Sequence, residues 1–281
     1  MKRAPYNSAK IILKPYFFAL AALLLVTGCM KPEEEEEETG PLVDAAVCQA
    51  TKVVTVEEGA TSTTTITFDS RGRMATVNLE QRGIAGTLHY NADNTPDRFL
   101  VTKSPEGPGQ IKYTYTNGRM VQSEVTSSIL SVGPVVRKTY AYNSAGKVSR
   151  VVEYRYKNVG GTGALAFSNY YAYTYDAAGN IIKEEKYVGT SEATATLDFY
   201  LEYTHDTAPN PLFKLETLLN GTSSTNNIKT ATFRGAFNEV IPDGSYSVAY
   251  TYNTQNFYTQ AITTYQTGPV ATSTVTYQCQ E

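Results

Sequence analysis

The sequence predicts an all-β protein, an antiparallel β-hairpin meander of about 14–16 strands curled into a single large sheet, a barrel-like body or two layers. Three observations carry that expectation. Tyr and Thr dominate the body, with 22 Tyr and 10 Phe but no Trp among 281 residues, and both residue types suit a pleated, half-buried surface. A turn built on an aromatic residue followed by Asp or Asn recurs between residues 60 and 260. No apolar 3.6-residue period persists for three turns after residue 45, so no helix is expected there.

Composition narrows the function classes. Hydrophobic residues make up 41% of the chain and charged residues 18%, which excludes a chain disordered throughout. Two His and three Cys are too few for a typical structural zinc site, and a pI near 5.6 leaves no basic footprint for nucleic acid.

The N-terminus reads as an address. Lys2, Arg3, Lys10 and Lys14 precede an apolar run from Tyr16 to Val26, whose 11 residues fall short of the ~20 that a membrane-crossing helix needs. The run ends in Leu25-Val26-Thr27-Gly28-Cys29. That ending resembles the lipobox of bacterial lipoproteins, which implies cleavage before Cys29 and acylation of its sulfur and new amino group. Residues 1–28 are thus a lipoprotein signal peptide, residues 29–45 a lipidated Cys with an acidic tether, and residues 46–281 the body. Acyl chains at Cys29 would anchor the body to a membrane without spanning it. Glu33 to Glu38 repel one another and stay extended. They serve either as a solvated spacer or as the surface-export signal that such a stretch resembles in lipoproteins of Bacteroidota-type bacteria. The expected location is the cell envelope, on the outer membrane, with exposure at the cell surface left open.

Beyond Pro41 the chain repeats itself. The fullest copy is Tyr173-Thr174-Tyr175-Asp176-Ala177-Ala178-Gly179-Asn180-Ile181, and related copies run over residues 66–74, 88–94, 113–118, 140–148 and 250–256. In five copies Gly or Asn follows the aromatic by four positions, at Gly72, Asn94, Gly146, Gly179 and Asn256; the shorter copy has Gly118. These residues enter the left-handed region at least steric cost, and the preceding Asx bonds to nearby backbone amides. Each copy is therefore the tip of a hairpin. Clear tips fall near residues 71, 93, 117, 145, 178 and 255, with degenerate ones near Asp206 to Pro211 and Gly235 to Asn238. The arms alternate, grouping Tyr113 and Tyr115, Tyr140 and Tyr142, Tyr173 and Tyr175, Tyr250 and Tyr252, and, on an outgoing arm, Val148, Val152, Tyr154 and Tyr156.

Tyr-x-Tyr-Asp-x-x-Gly-Asn at residues 173–180 is similar to the YD repeat of RHS-type and teneurin-type proteins. The resemblance implies a curled β-sheet, which in that family can wrap into a shell around cargo. This chain is far shorter than a shell-forming array, and small lipoproteins of Bacteroidota-type bacteria that carry the same hairpin tip are nearer in scale.

Once Cys29 is lipidated, Cys48 and Cys279 remain in an oxidising compartment and are expected to pair. A bridge between the first predicted strand (46–56) and the last (273–280) would make them neighbours, or set them face to face, and favours a closed or two-layered body.

No motif of catalytic strength is present. His89 and His205 read as ordinary side chains, no cofactor or metal is expected, and Gly160 to Gly163 reads as a link between hairpins. The tyrosines Tyr113, Tyr140, Tyr154, Tyr173, Tyr175, Tyr250 and Tyr252 form either the core of the sheet or a groove for a glycan or peptide. A transmembrane barrel is disfavoured, because Tyr runs along whole strands rather than in girdles. The functional expectation is a lipid-anchored envelope protein with a structural role, or one that binds a glycan or protein partner. The alternative is a lipid-anchored carbohydrate-active enzyme or other hydrolase using Asp176, Asp206 or Glu202, or a His–Asp pair. A third, an encapsulating shell, would need more chain than this body has.

Overall fold

The computed structural model describes residues 48–105, 107–127, 133–159 and 162–279. The expected signal peptide, Cys29 and the expected acidic tether lie outside the described residues. Sixteen strands follow in chain order: β1 (Cys48–Glu57), β2 (Ala60–Phe68), β3 (Met74–Leu79), β4 (Ile84–Tyr90), β5 (Pro96–Lys103), β6 (Gly109–Thr116), β7 (Arg119–Ser127) and β8 (Pro134–Tyr142). The second half comprises β9 (Val148–Val159), β10 (Thr162–Tyr175), β11 (Ile181–Val188), β12 (Thr196–Pro209), β13 (Asn226–Gly235), β14 (Tyr246–Tyr252), β15 (Tyr258–Tyr265) and β16 (Val270–Cys279). A helix, α1 (Phe213–Asn220), separates β12 from β13.

Each strand pairs antiparallel with its neighbours in sequence, and β1 pairs with β16 from Cys48↔Cys279 to Glu57↔Ala271, closing a barrel. Closure leaves no unpaired sheet edge at the two chain ends. The Cys48–Cys279 disulfide, with Cα atoms 4.0 Å apart, sits at the last rung of that seam.

Direction alternates along a meander, so connections leaving even-numbered strands share one rim. The six clear turn motifs all lie there, together with α1 and both ends of the described chain. The opposite rim carries the other connections, among them Glu58-Gly59, a turn without the aromatic-Asx pattern.

Strand alternation separates a mixed interior from an exterior rich in Thr and charge, on which Val56, Leu100, Ile262 and Val270 are scattered exposed apolar residues. Val53, Ile66, Val77, Leu88, Phe99, Tyr113, Tyr246 and Tyr265 are buried in one core. Between them, Thr61, Thr63, Thr65 and Thr67 on β2 and Thr272, Thr274 and Thr276 on β16 face outward. Ion pairs cross the outer face, including Arg137–Glu124 at 2.7 Å and Arg234–Glu202 at 2.7 Å. Strand length is uneven, from six residues in β3 and seven in β14 to fourteen in β10 and β12.

Three sequence expectations are corrected. First, α1 exists. It has only two turns, too few for a three-turn period, and it forms because Leu212, Leu215 and Leu218 are buried against the tyrosines of the barrel. Second, Asp206 to Pro211 is no hairpin tip, because β12 runs to Pro209 and leads into α1. Third, Val148 does not share a face with Val152, Tyr154 and Tyr156. A bulge shifts the register between Ala141↔Arg150 and Tyr142↔Val148, so Val148 joins Val151 inside. Tyr154 pairs with Arg137, itself opposite Glu124, on the outer face.

Cys48→Ser, made together with Cys279→Ser, is expected to lower unfolding stability by about 2–5 kcal/mol. The barrel should stay closed through the β1–β16 ladder, so far-UV circular dichroism of the native state should not change. Urea titration of the oxidised protein and the variant measures the difference.

Candidate functional site

The rim of repeated turns gathers most of the residues singled out in the sequence. In five turns the first residue's N–H donates to the fifth residue's carbonyl, as from Asp69 to Arg73 (2.8 Å) and Asp176 to Asn180 (2.9 Å). The fourth residue lies at positive φ: Gly72 (70°), Asn94 (64°), Gly146 (73°), Gly179 (87°) and Asn256 (64°). In four of these turns the side-chain oxygen of the first residue, Asp69, Asn143, Asp176 or Asn253, also accepts from the fifth residue's N–H at 2.8–2.9 Å. Asn117 and Gly118, both at positive φ, make the shorter two-residue turn. Gly235 to Glu239 has the same hydrogen bonds but lies on the opposite rim.

The tyrosines have a second task here. Approaching this rim, the ladders between successive hairpins stop early, for example at Gln122↔Thr139 between β7 and β8 and at Ala172↔Arg150 between β9 and β10. The carbonyls beyond would be left unpaired, and an unpaired backbone group is costly. A tyrosine hydroxyl from the next hairpin supplies the donor: Tyr90 to Met74 O (2.7 Å), Tyr142 to Met120 O (2.6 Å), Tyr175 to Val148 O (2.7 Å), Tyr250 to Ile228 O (2.8 Å) and Tyr277 to Tyr258 O (2.6 Å). A cation after the turn glycine braces two of these rings, Arg73 over Tyr90 at 4.3 Å and Arg119 over Tyr142 at 5.4 Å. These cations leave a trace in the chain, where Gly72-Arg73, Gly118-Arg119 and Gly146-Lys147 repeat, a signal beyond the aromatic-Asx pattern.

Through this rim enters α1. A sixteen-strand barrel encloses more space than its own side chains fill, and the helix occupies part of it. Its capping residue, Gly221, has φ 90°, and a Cβ there would sit 2.0 Å from the Tyr140 ring, so only glycine fits. The segment after α1 is stitched to the turns. Asn226 N–H donates to Asn180 Oδ1 (2.7 Å), Ser224 Oγ accepts from Ile181 N–H (3.0 Å), and Thr222 hydroxyl donates to the Tyr175 oxygen (2.6 Å).

Among the candidate acids, Glu202 lies on the outer face with Arg234, while Asp176 and Asp206 are on the rim. Asp176 accepts from the backbone and side-chain N–H of Asn180, at 2.8 and 3.0 Å. Asp206 accepts from the N–H groups of Ala208 (2.9 Å) and Asn227 (3.2 Å), from Asn227 Nδ2 (3.2 Å) and from the Tyr252 hydroxyl. His205 Nε2 is 3.1 Å from Ser224 Oγ, which superficially suggests a nucleophile and its base. Ser224 is only 3% exposed, however, so its hydroxyl is closed to a substrate. Burial holds the His205 pKa below its usual value, opposed by nearby Asp176 and Asp206. This cluster fastens the plug to the turns. Among the described residues no group of three His, Cys, Asp or Glu side chains could hold a metal ion.

Of the seven highlighted tyrosines, Tyr113, Tyr140, Tyr173 and Tyr250 belong to the interior packing, Tyr175 and Tyr252 bond to groups at the rim, and Tyr154 is outside. Tyr140 exchanges a hydrogen bond with Ser123 at 2.7 Å. The interior is not uniformly apolar. Glu184 faces Tyr173 and Leu201, accepts from the Tyr203 hydroxyl at 3.3 Å, and is pushed up to about 7 by burial. Glu216 on α1, with the Ser223 hydroxyl as donor, is also driven well above the usual carboxylate range by burial.

Comparison with known proteins identifies fold but no family. No protein-family model and no curated protein matches the chain. Among solved structures it is similar to a porin-like protein from Bacteroides vulgatus, with TM-score 0.55 and 9% identity over 83% of this chain and 99% of that one. A porin-like protein from Bacteroides uniformis aligns with TM-score 0.50 and 13% identity over 82% of this chain and 96% of that one. At these identities the likeness is one of fold.

Two outcomes are expected. Tyr142→Phe keeps the ring but strands the Met120 carbonyl, and should cost about 1–3 kcal/mol in chemical denaturation. Glu184 binds its proton more tightly folded than unfolded, so it opposes folding once the pH rises above its unfolded pKa. Glu184→Gln should therefore gain stability relative to the parent between about pH 5 and pH 8, on the order of 2 kcal/mol at the upper end. His205, with a lowered pKa, acts in the opposite sense and is common to both proteins. Paired urea titrations across that range isolate the Glu184 contribution.

Proposed function

We infer that this chain is a lipid-anchored cell-envelope protein whose plugged barrel has a structural or partner-binding role and forms no pore. The observation that carries this reading is the combination of a Thr-rich, ion-paired outer face with an interior occupied by α1 and tyrosines. Such a face favours water over hydrocarbon, since a membrane barrel needs a continuous apolar band outside. Attachment must then come from elsewhere, and the lipobox-like ending at Cys29 supplies it. Because β1 begins at the rim of repeated turns, a tether from Cys29 would hold that rim toward the membrane and present the opposite rim outward. The fold shared with porin-like proteins from Bacteroides supports an envelope setting. A non-catalytic role is favoured by the commitment of Asp176, Asp206 and Glu202 to turns, plug and ion pairing.

Metabolic labelling with an alkyne fatty acid should tag the parent chain, whereas Cys29→Ala should be untagged and released from membranes by a salt wash. The purified protein should give no stepwise conductance in a planar bilayer. An unlabelled parent chain would overturn the anchoring, and well-resolved channels would overturn the plugged, non-spanning barrel.

A further inference from the structure

On the outer side of the same rim, β3 and β4 part beyond Thr76↔Thr87. The fork opens into a cleft of about 510 Å³ lined by Arg71, Arg73, Ala75, His89 and Tyr90, within the ~300–1,000 Å³ of small-molecule sites. Two turns frame its mouth, joined by a hydrogen bond from Arg73 Nη1 to Asn94 Oδ1 at 2.8 Å. The floor is low because Ala75 stands where β7 has Val121, one residue beyond the clamped carbonyl in each case.

The charges of the cleft are unequally committed. Asp69 accepts from the N–H groups of Arg71 and Arg73 through one oxygen, both at 2.9 Å, and from the Arg73 guanidinium through the other at 2.8 Å. That pair is self-satisfied. Arg71 is exposed, and among the described residues no side-chain partner holds its guanidinium. His89 Nε2 is shielded from water and meets no hydrogen-bond partner among the described residues. A planar guanidinium with its donors free is matched to a carboxylate or phosphate, which it can hold through two parallel bonds. An imidazole ring turn would add a further N–H donor.

We propose that this fork is a binding site for a small oxyanion-bearing molecule, its carboxylate or phosphate held over the Ala75 floor by Arg71 and, once its ring turns, by His89. The site is independent of whether Cys29 is acylated. It is tested by calorimetric titration of the full chain in detergent with inorganic phosphate, glucuronate and glycerol 1-phosphate, with glucose as the neutral control. Binding of at least one of the three anions is expected, with none for glucose. The anion bound tightest separates a saccharide source from a phospholipid headgroup. Arg71→Ala and, independently, the floor-filling Ala75→Leu should each weaken it about tenfold or more. Arg71 is exposed in its turn and Ala75 is half-buried near the start of β3, and an unchanged thermal midpoint checks that the variants fold. Absence of binding by the parent chain, binding of glucose as tight as of the anions, or equal affinity in the folded variants would overturn the proposal.

Discussion

The hydrogen bond from a tyrosine hydroxyl to a carbonyl near the start of the preceding strand is the contact on which this architecture rests. Tight turns pull the two strands of each hairpin together, and the gap this leaves between successive hairpins would strand backbone acceptors near a crowded rim. Five tyrosines close that gap at 2.6–2.8 Å. Each ring is long enough to reach across the fork while its body stays in the core, an arrangement that Phe could not complete and that Ser could not reach. The recurrence of Tyr before Asp or Asn thus has one cause in the turn and another in the sheet.

Closure creates a second requirement. Sixteen strands surround more volume than inward side chains can fill, so the barrel must be wet, flattened or plugged. Here the β12–β13 connection supplies Leu212, Leu215 and Leu218 to the interior. Its hold depends on polar contacts with the turns rather than on the helix itself, which is short and has no side-chain N-cap. The same rim therefore organises the strands and retains the plug. Glu216 on α1 and Glu184 on β11 are both carboxylates held in the interior, and burial raises the pKa of each.

Much of this was legible in the chain. Alternation in the strand arms and the positive-φ residues at Gly72, Asn94, Gly118, Gly146, Gly179 and Asn256 identify hairpin tips, because both signals are local. The outer position of Tyr154 was hidden, since one bulge at Tyr142 and Val148 reverses parity and leaves no mark in composition. The helix was hidden for a different reason. Two turns of Leu spacing are indistinguishable from chance until a surface exists to bury them, and that surface is assembled from strands far away in sequence. The cleft beside Arg71 and His89 was equally invisible, because it arises where two strands part.

By itself the sequence determined the strand-rich class, the turns and their spacing, since these follow from backbone preferences within a few residues. Which end each turn faces, which tyrosines lie inside, what fills the lumen and which charges stay uncommitted were decided only when β1 met β16. Those properties belong to a closed surface, and closure couples residues separated by 231 positions.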